Sequence, residues 1–290
     1  MNQKTIVITG CSSGFGRITA LELIKRGWHV FATVRQESDQ ADLLAEAATS
    51  GYKDHLTPLL CDITQSEQVA RLVQQVQEAL GSTQASSTPA LDALINNAGT
   101  AFGGPIELAQ LDDIRAQFEI NVIAHVGMIQ AFLPMLREAK GTIINVSSVS
   151  GRIATPVTGV YAASKFALEA ISDALRVEVA PFGIHVVLIE PSSSPTSIWK
   201  TSVQRSLKSM EQHRTGPYGR LLTLAERSAQ RSSTQGFPPQ LFADTIAQIL
   251  ASRKPRARYI LPRSAAQAVL LRRFLPDGLW DRMVRRTMKW

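Results

Sequence analysis

"KTIVITGCSSGFGR" (residues 4–17) starts on a charge, passes through a short apolar run, turns on three glycines and then takes up a helical pattern. An apolar run this short and continuous reads as a strand buried on both faces. Gly10, Gly14 and Gly16 let the chain turn tightly and let its backbone approach a ligand. The helix beyond offers unpaired N–H groups and a favourable dipole. Strand, glycine turn and helix in this order open a βαβ unit that receives a pyrophosphate, with Ser12, Ser13 and Phe15 completing the turn. The bland alternative is a tight strand-to-helix turn with no ligand.

The same rhythm continues along the chain. "HVFATV", "LTPLLCD", "LDALINNAG", "GTIINVSS", "IHVVLIEP" and "ARYILP" read as six further strands, with helical patterns over 16–26, 66–80, 112–138, 160–180 and 238–252. Alternating strands and helices, with the strands apolar throughout, predict an α/β fold. Its seven-stranded parallel sheet is doubly wound (Rossmann) and carries helices on both faces. The expected organisation is one domain over 1–262 and a basic amphipathic extension over 263–290. "GSTQASSTPA" (81–90) reads as an inserted surface loop, and the strand-free stretch 192–236 as a lid over the substrate.

The composition suits a soluble protein, with 44% hydrophobic and 19% charged residues among 290. The N-terminus does not read as a signal peptide, and no uninterrupted apolar run approaches bilayer length. Two cysteines, Cys11 and Cys61, are too few for a disulfide framework, so a cytoplasmic setting is expected. Charge is unevenly placed: residues 1–199 hold 13 Lys/Arg against 19 Asp/Glu, and residues 200–290 hold 18 against 5. Such a basic final third suits an anionic partner or a solvated face. No nucleic-acid module is recognisable, and the five histidines lack metal-ligand spacing.

At the end of the second strand a carboxylate would bind the adenosine ribose of NAD. Here Val34 is followed by Arg35, whose guanidinium suits a 2′-phosphate, so NADP is expected, with NAD as the alternative. Glu37 and Asp39, close behind, work against that preference. Asp62 and Ile63 end the third strand where adenine would lie. The small residues of "NNAG", with Asn97, Ala98 and Gly99, let a flat ligand approach the fourth.

"SSVSGRIATPVTGVYAASK" (147–165) sets Tyr161 four residues before Lys165 and thirteen after Ser148. On a helix, i and i+4 share a face. A phenol with an ordinary pKa near ~10 is expected to be lowered by the neighbouring ammonium, and further by an oxidised nicotinamide. Tyr161 would then exchange a proton with a carbonyl or hydroxyl oxygen that Ser148 holds in line.

In order and spacing, the glycine turn, Asp62, "NNAG", Asn121, Ser148, Tyr161, Lys165 and Pro191 of "IEP" resemble the short-chain dehydrogenase/reductase family, in its single-domain branch. The likeness runs from residue 4 to about 262. It implies catalysis by Ser148, Tyr161 and Lys165, with Lys165 also bonding the nicotinamide ribose and Asn121 anchoring a water relay. Thr196 stands where the family often bonds the cofactor. Ser192 replaces the glycine that usually follows this proline, which puts loop geometry and cofactor affinity in question.

"FATVR" and the C-terminal extension look most like the hydroxysteroid and retinol dehydrogenase branch. That likeness implies a steroid, retinoid or long-chain carbonyl or alcohol. Ile198, Trp199, Leu207, Met210, Leu221 and Leu222 either line an apolar pocket or pack the lid onto the body. In the tail, Pro276 and Gly278 are expected to separate two short helices, which would lie on a membrane, close the substrate entrance or meet a second subunit. The expected function is NADP-dependent hydride transfer with a small-molecule carbonyl or alcohol. The competing readings are a non-catalytic dinucleotide sensor and a membrane-surface protein.

Overall fold

All seven apolar runs are strands in the computed structural model, which describes residues 3–81, 89–196 and 210–288. They are β1 (Thr5–Ile8), β2 (His29–Val34), β3 (Leu56–Leu60), β4 (Ala93–Asn96), β5 (Thr142–Val146), β6 (His185–Pro191) and β7 (Arg258–Leu261). They form one sheet in the order β3-β2-β1-β4-β5-β6-β7, and every neighbouring pair is parallel.

Side chains alternate across the sheet and fill two cores. Ile6, Ile8, Ala32 and Val34 face one side. They pack on helices α1 (Gly14–Lys25), α2 (Glu37–Thr49) and, further along the chain, Pro239–Ala251. Val7, Phe31, Leu94 and Ile143 face the other, against α3 (Ser66–Gly81) and the later helix Ala124–Ala139.

The helical pattern over 112–138 is one continuous rod from 111 to 139: α4 (Leu111–Phe118), a π-turn (Glu119–Ile123) and α5 (Ala124–Ala139). It is long and apolar enough to cross a bilayer, with mean hydropathy 1.3 over its best 18-residue window. Half of that window is buried against the protein, however, and Met128, Phe132, Met135 and Leu136 of α5 belong to the second core. The rod is therefore a core helix. The remaining helices are α6 (Gly159–Glu178), α7 (Gly219–Thr234), α8 (Pro239–Ala251), α9 (Ala265–Phe274) and α10 (Asp277–Met288).

The two tail helices break at Leu275 and Pro276. Gly278 lies inside the first turn of α10 instead of acting as a second break. Neither helix has a buried residue. Most of the inserted loop 81–90 lies outside the described residues, as do Ile198, Trp199 and Leu207 of the expected lid. Met210, Leu221 and Leu222 are buried, and Met210 caps Gly104, where a Cβ would lie 2.3 Å from the Met210 Cε. None of the three lines the large cleft described below, and their burial suits packing. Both cysteines are free and buried.

The strand order reverses direction between β1 and β4, so the segments that leave their carboxyl ends turn away from each other. That divergence opens the crevice in which doubly wound sheets bind ligands.

Candidate active site

A cleft of about 700 Å³ lies over the carboxyl ends of the strands. At its first end Gly10 and Gly14 take left-handed backbone angles, φ 71° and 57°. A Cβ on Gly10 would lie 2.8 Å from the Ala98 Cα, and one on Gly16 would lie 2.3 Å from the Gly10 carbonyl oxygen and 2.5 Å from Asn97 Nδ2. Gly10 is therefore required by space and by backbone angle, Gly16 by space and Gly14 by backbone angle. Ser12, Ser13, Gly14 and Phe15 border the cleft, while Gly16 lies beneath the turn. The Phe15 ring points away from it and stacks on Phe242 at 4.1 Å, so only its backbone is available to a ligand.

Two residues missed from the sequence brace this end. Thr9 Oγ1 accepts from the backbone N–H groups of Asn97 and Ala98, each at 2.9 Å, and Thr33 Oγ1 accepts from Gly10 N–H at 3.2 Å. Asn97 Nδ2 donates to the carbonyls of Thr9 and Gly10 at 2.8 and 3.1 Å. Its side chain thus ties β4 to the glycine turn.

Arg35 is exposed at the cleft edge and makes no ion pair among the described residues. Asp62 Oδ1 accepts from the N–H and hydroxyl of Thr64, at 3.0 and 2.8 Å, in a tight turn beside Ile63. Both border the cleft, as do Ala98 and Gly99.

At the second end Ser148, Tyr161, Lys165 and Pro191 come together, whereas Thr196 lies against the glycine turn, 3.6 Å from where a Cβ on Gly14 would stand. Tyr161 and Lys165 stand on α6 and are only 6% and 4% exposed. The Tyr161 hydroxyl is hydrogen-bonded to the Ser148 side chain. Ser148 Oγ also accepts from Ser150 N–H at 3.0 Å and donates to the Pro191 carbonyl at 3.3 Å. Lys165 Nζ donates to the Val146 carbonyl at 2.8 Å and lies 5.9 Å from the Tyr161 ring centre.

The expected lowering of the Tyr161 pKa is not what the protein's own groups produce. Burial pushes the phenol up to about 12, and the Ser148 hydrogen bond only partly offsets this. Burial also lowers Lys165 to about 8, against the attraction of Glu169. At neutral pH the pair is thus a neutral phenol beside an ammonium.

Asn121 sits in the π-turn, behind the cleft wall. Its side chain donates to the Thr100 carbonyl at 3.0 Å and Ser164 Oγ at 3.1 Å, and accepts from Thr100 N–H at 2.9 Å. Gln117, another residue missed from the sequence, binds the Thr100 carbonyl and Phe102 N–H. In the loop before α6, Val157 has φ 74°, unusual for a β-branched residue, and its carbonyl accepts from Gly104 N–H at 2.7 Å. Ser192 is not among the residues with positive φ, and its N–H donates to the Leu261 carbonyl at 2.7 Å. A serine fits there without backbone strain.

The cleft fits a dinucleotide: the turn at one end leaves no room for a Cβ, and an unpaired guanidinium and small strand-end residues lie along the wall. Among the described residues no cluster of His, Cys, Asp and Glu could hold a metal.

The family profile described as short chain dehydrogenase matches residues 4–207. NADPH-dependent 3-dehydrocapnine reductase of Ornithobacterium rhinotracheale is 30% identical, over 98% of this chain and 96% of that one. A 3-ketodihydrosphingosine reductase of Bacteroides thetaiotaomicron is 32% identical over 98% of both. Mouse retinol dehydrogenase 5 is 34% identical over 95% of this chain and 86% of its own. In fold the chain is similar to a short chain dehydrogenase/reductase from Burkholderia phymatum solved with NAD, with a TM-score of 0.78, 24% identity and coverage of 94% and 93%. Glycine turn, strand order and the buried Ser148–Tyr161–Lys165 cluster thus have one common explanation: the chain belongs to the short-chain dehydrogenase/reductase family of oxidoreductases.

Proposed function

We propose that this oxidoreductase uses NADPH to reduce a lipophilic ketone or aldehyde. The observation that carries this reading is the placement of Tyr161: buried at the cleft, bonded to Ser148 and one helical turn before Lys165. A neutral phenol beside an ammonium is prepared to give up a proton, as reduction requires. When bound, the cofactor supplies hydride to the carbonyl carbon.

The chain's own residues do the rest. Ser148 exchanges its long 3.3 Å bond to the Pro191 carbonyl for one to the substrate oxygen and fixes its direction. Tyr161 protonates the alkoxide as it forms, and Lys165 stabilises the phenolate left behind. Asn121, immobilised by three hydrogen bonds, serves the relay that returns a proton to Tyr161. Arg35 pairs with the 2′-phosphate that distinguishes NADP from NAD. Two relatives are named as reductases, one of them NADPH-dependent, and a third bears the name of a lipophilic alcohol, which supports direction, cofactor and substrate class.

The test is NADPH oxidation by the full chain with a panel of steroids, retinoids, fatty aldehydes and long-chain ketones. Turnover of at least one apolar carbonyl is expected. Tight NADPH binding with no oxidation by any member would leave the dinucleotide sensor instead.

A second reading, compatible with the first, concerns location. Helices α9 and α10 expose Leu270, Leu271, Phe274, Leu279 and Met283 beside Arg272, Arg273, Arg282, Arg285 and Arg286. Apolar and basic residues together suit an anionic bilayer surface. Vesicles containing phosphatidylglycerol are expected to sediment the full chain and leave residues 1–264 in solution; equal sedimentation of both would reject it.

A further inference from the structure

The one buried residue of α4 is polar. Gln117 is fully enclosed, where a surface helix ordinarily turns an apolar side chain inward. Its amide meets the chain beyond β4 twice: Oε1 accepts from Phe102 N–H at 2.7 Å, and Nε2 donates to the Thr100 carbonyl at 2.6 Å. The reverse orientation would set donor against donor and acceptor against acceptor. Asn121, four residues on, binds both backbone groups of Thr100. His125, four further, is also fully enclosed and donates from Nε2 to the Ala98 carbonyl at 2.7 Å. Burial keeps its ring neutral, with the pKa pushed down to about 3. Its Nδ1 has no hydrogen-bond partner among the described residues, so the Ala98 contact is the ring's one polar duty.

Three side chains spaced by four thus grip the segment 98–102 from one rod. In an unbroken α-helix each step of four carries the side chain about 40° further round the axis. The π-turn Glu119–Ile123 closes on the fifth residue, turns less per residue and offsets that drift. The rod gives up regular geometry between the first and third contacts, and the three stay in line.

The two outer contacts end in different places. Ala98 packs on the glycine turn, 2.8 Å from where a Cβ on Gly10 would stand, and borders the cleft. Phe102 borders the cleft too, and also a smaller cavity with Gly104, Ile114, Val160 and Met210. Val160 directly precedes Tyr161, so Phe102 lies on the catalytic side. We infer that Gln117 and His125 are positioning residues with separate duties: Gln117, through Phe102, sets the wall that meets the carbonyl substrate, and His125, through Ala98, sets the floor under the coenzyme. The inference rests on the reductase reading.

Two variants of the full chain separate these duties. Gln117→Met keeps the side-chain length and loses both hydrogen bonds, and His125→Leu leaves the Ala98 carbonyl unpaired. NADPH affinity by fluorescence titration needs no turnover. His125→Leu should weaken it at least about fivefold, and Gln117→Met should stay within about twofold of wild type. With an apolar carbonyl that the wild-type chain reduces, Gln117→Met should raise KM about tenfold and keep kcat within about threefold. His125→Leu, at saturating NADPH, should keep that KM within about twofold. A purely structural role would lower the Tm of both variants without dividing the two ligands between them.

Equal weakening of NADPH binding in both variants, unchanged binding in His125→Leu, or an unchanged carbonyl KM in Gln117→Met would each overturn the inference. If either variant does not fold, His125→Phe or Gln117→Glu takes its place. The first should weaken NADPH likewise. The second keeps the acceptor for Phe102 N–H and loses the donor to Thr100, so it should raise the carbonyl KM less. No change in either counts against the inference equally. If the wild-type chain reduces no carbonyl, the reductase reading fails, and the paired NADPH titrations still decide whether the two duties are divided.

Discussion

The two ends of the cleft are built on different physics. Around Gly10 and Gly16 the chain recognises its ligand by lacking atoms: the turn works because nothing projects where a Cβ would meet Ala98, Asn97 or the Gly10 carbonyl. Around Tyr161 and Lys165 it works by enclosing ionisable groups and shifting them in opposite directions, the phenol up and the ammonium down. The first end should be damaged by bulk and be indifferent to pH. The second should tolerate isosteric change in shape and be sensitive to charge.

The strongest way to break this contrast is Tyr161→Phe, which preserves shape and deletes the proton. Turnover should fall by about 10²–10⁴-fold, the usual worth of a general acid, while NADPH affinity by fluorescence titration stays within about twofold. Turnover near wild type would show that the proton comes from elsewhere.

Next is Gly16→Val, which puts bulk where no Cβ fits. NADPH affinity should fall at least about tenfold and the protein should lose about 2–4 kcal/mol of stability in urea unfolding. Unchanged affinity would mean that the turn does not hold the pyrophosphate.

The third concerns pH. Burial depresses Lys165 to about 8, so the ammonium dominates below that value and is lost above it. Reduction kcat/KM should be level through neutrality and fall by about tenfold per unit above pH 8. The residual kcat/KM of a Lys165→Met variant, which has no ammonium to lose, should lack this limb.

The last concerns Arg35, which is exposed and so contributes a screened charge, and it alters cofactor preference and leaves the chemistry in place. Arg35→Asp should move the ratio of kcat/KM for NADPH over NADH towards NADH by about 10–100-fold, the range for loss of a charge-assisted phosphate contact plus a new repulsion. A constant ratio would place phosphate recognition on another residue.

The sheet was legible because each strand is a continuous apolar run between turn residues, a pattern that buried parallel strands require. Helix α2 was harder to see. It buries only Leu43 and Ala47, too few apolar positions to mark a period. The phosphate end was readable because a steric requirement for glycine is written locally, in neighbours of one turn. The supports Thr9 and Thr33 were not, although Thr9 directly precedes Gly10. At the chemical end the residue types and spacing identified Tyr161, Lys165 and Ser148 as candidates. The direction of the Tyr161 shift could not be read, because it depends on how deeply α6 sinks against β5 and β6, a tertiary quantity. The ion pairs behind α6, in which Arg258 reaches Glu169 at 3.0 Å and Glu190 at 3.2 Å while Arg152 reaches Glu190 at 3.3 Å, join residues far apart in the chain and left no local trace.

The two free thiols give the molecule a pair of internal clocks. Cys61 borders the cleft, and burial raises its pKa to about 11. Cys11 is wholly enclosed beneath the glycine turn, with its pKa raised further still. Thiolate is the reactive form, so alkylation of Cys61 in the folded chain is slow and should slow again when dinucleotide covers it, whereas Cys11 should react only as fast as the β1 turn opens. A single labelling time course, read peptide by peptide, thereby reports ligand occupancy and local unfolding at once, without an added probe.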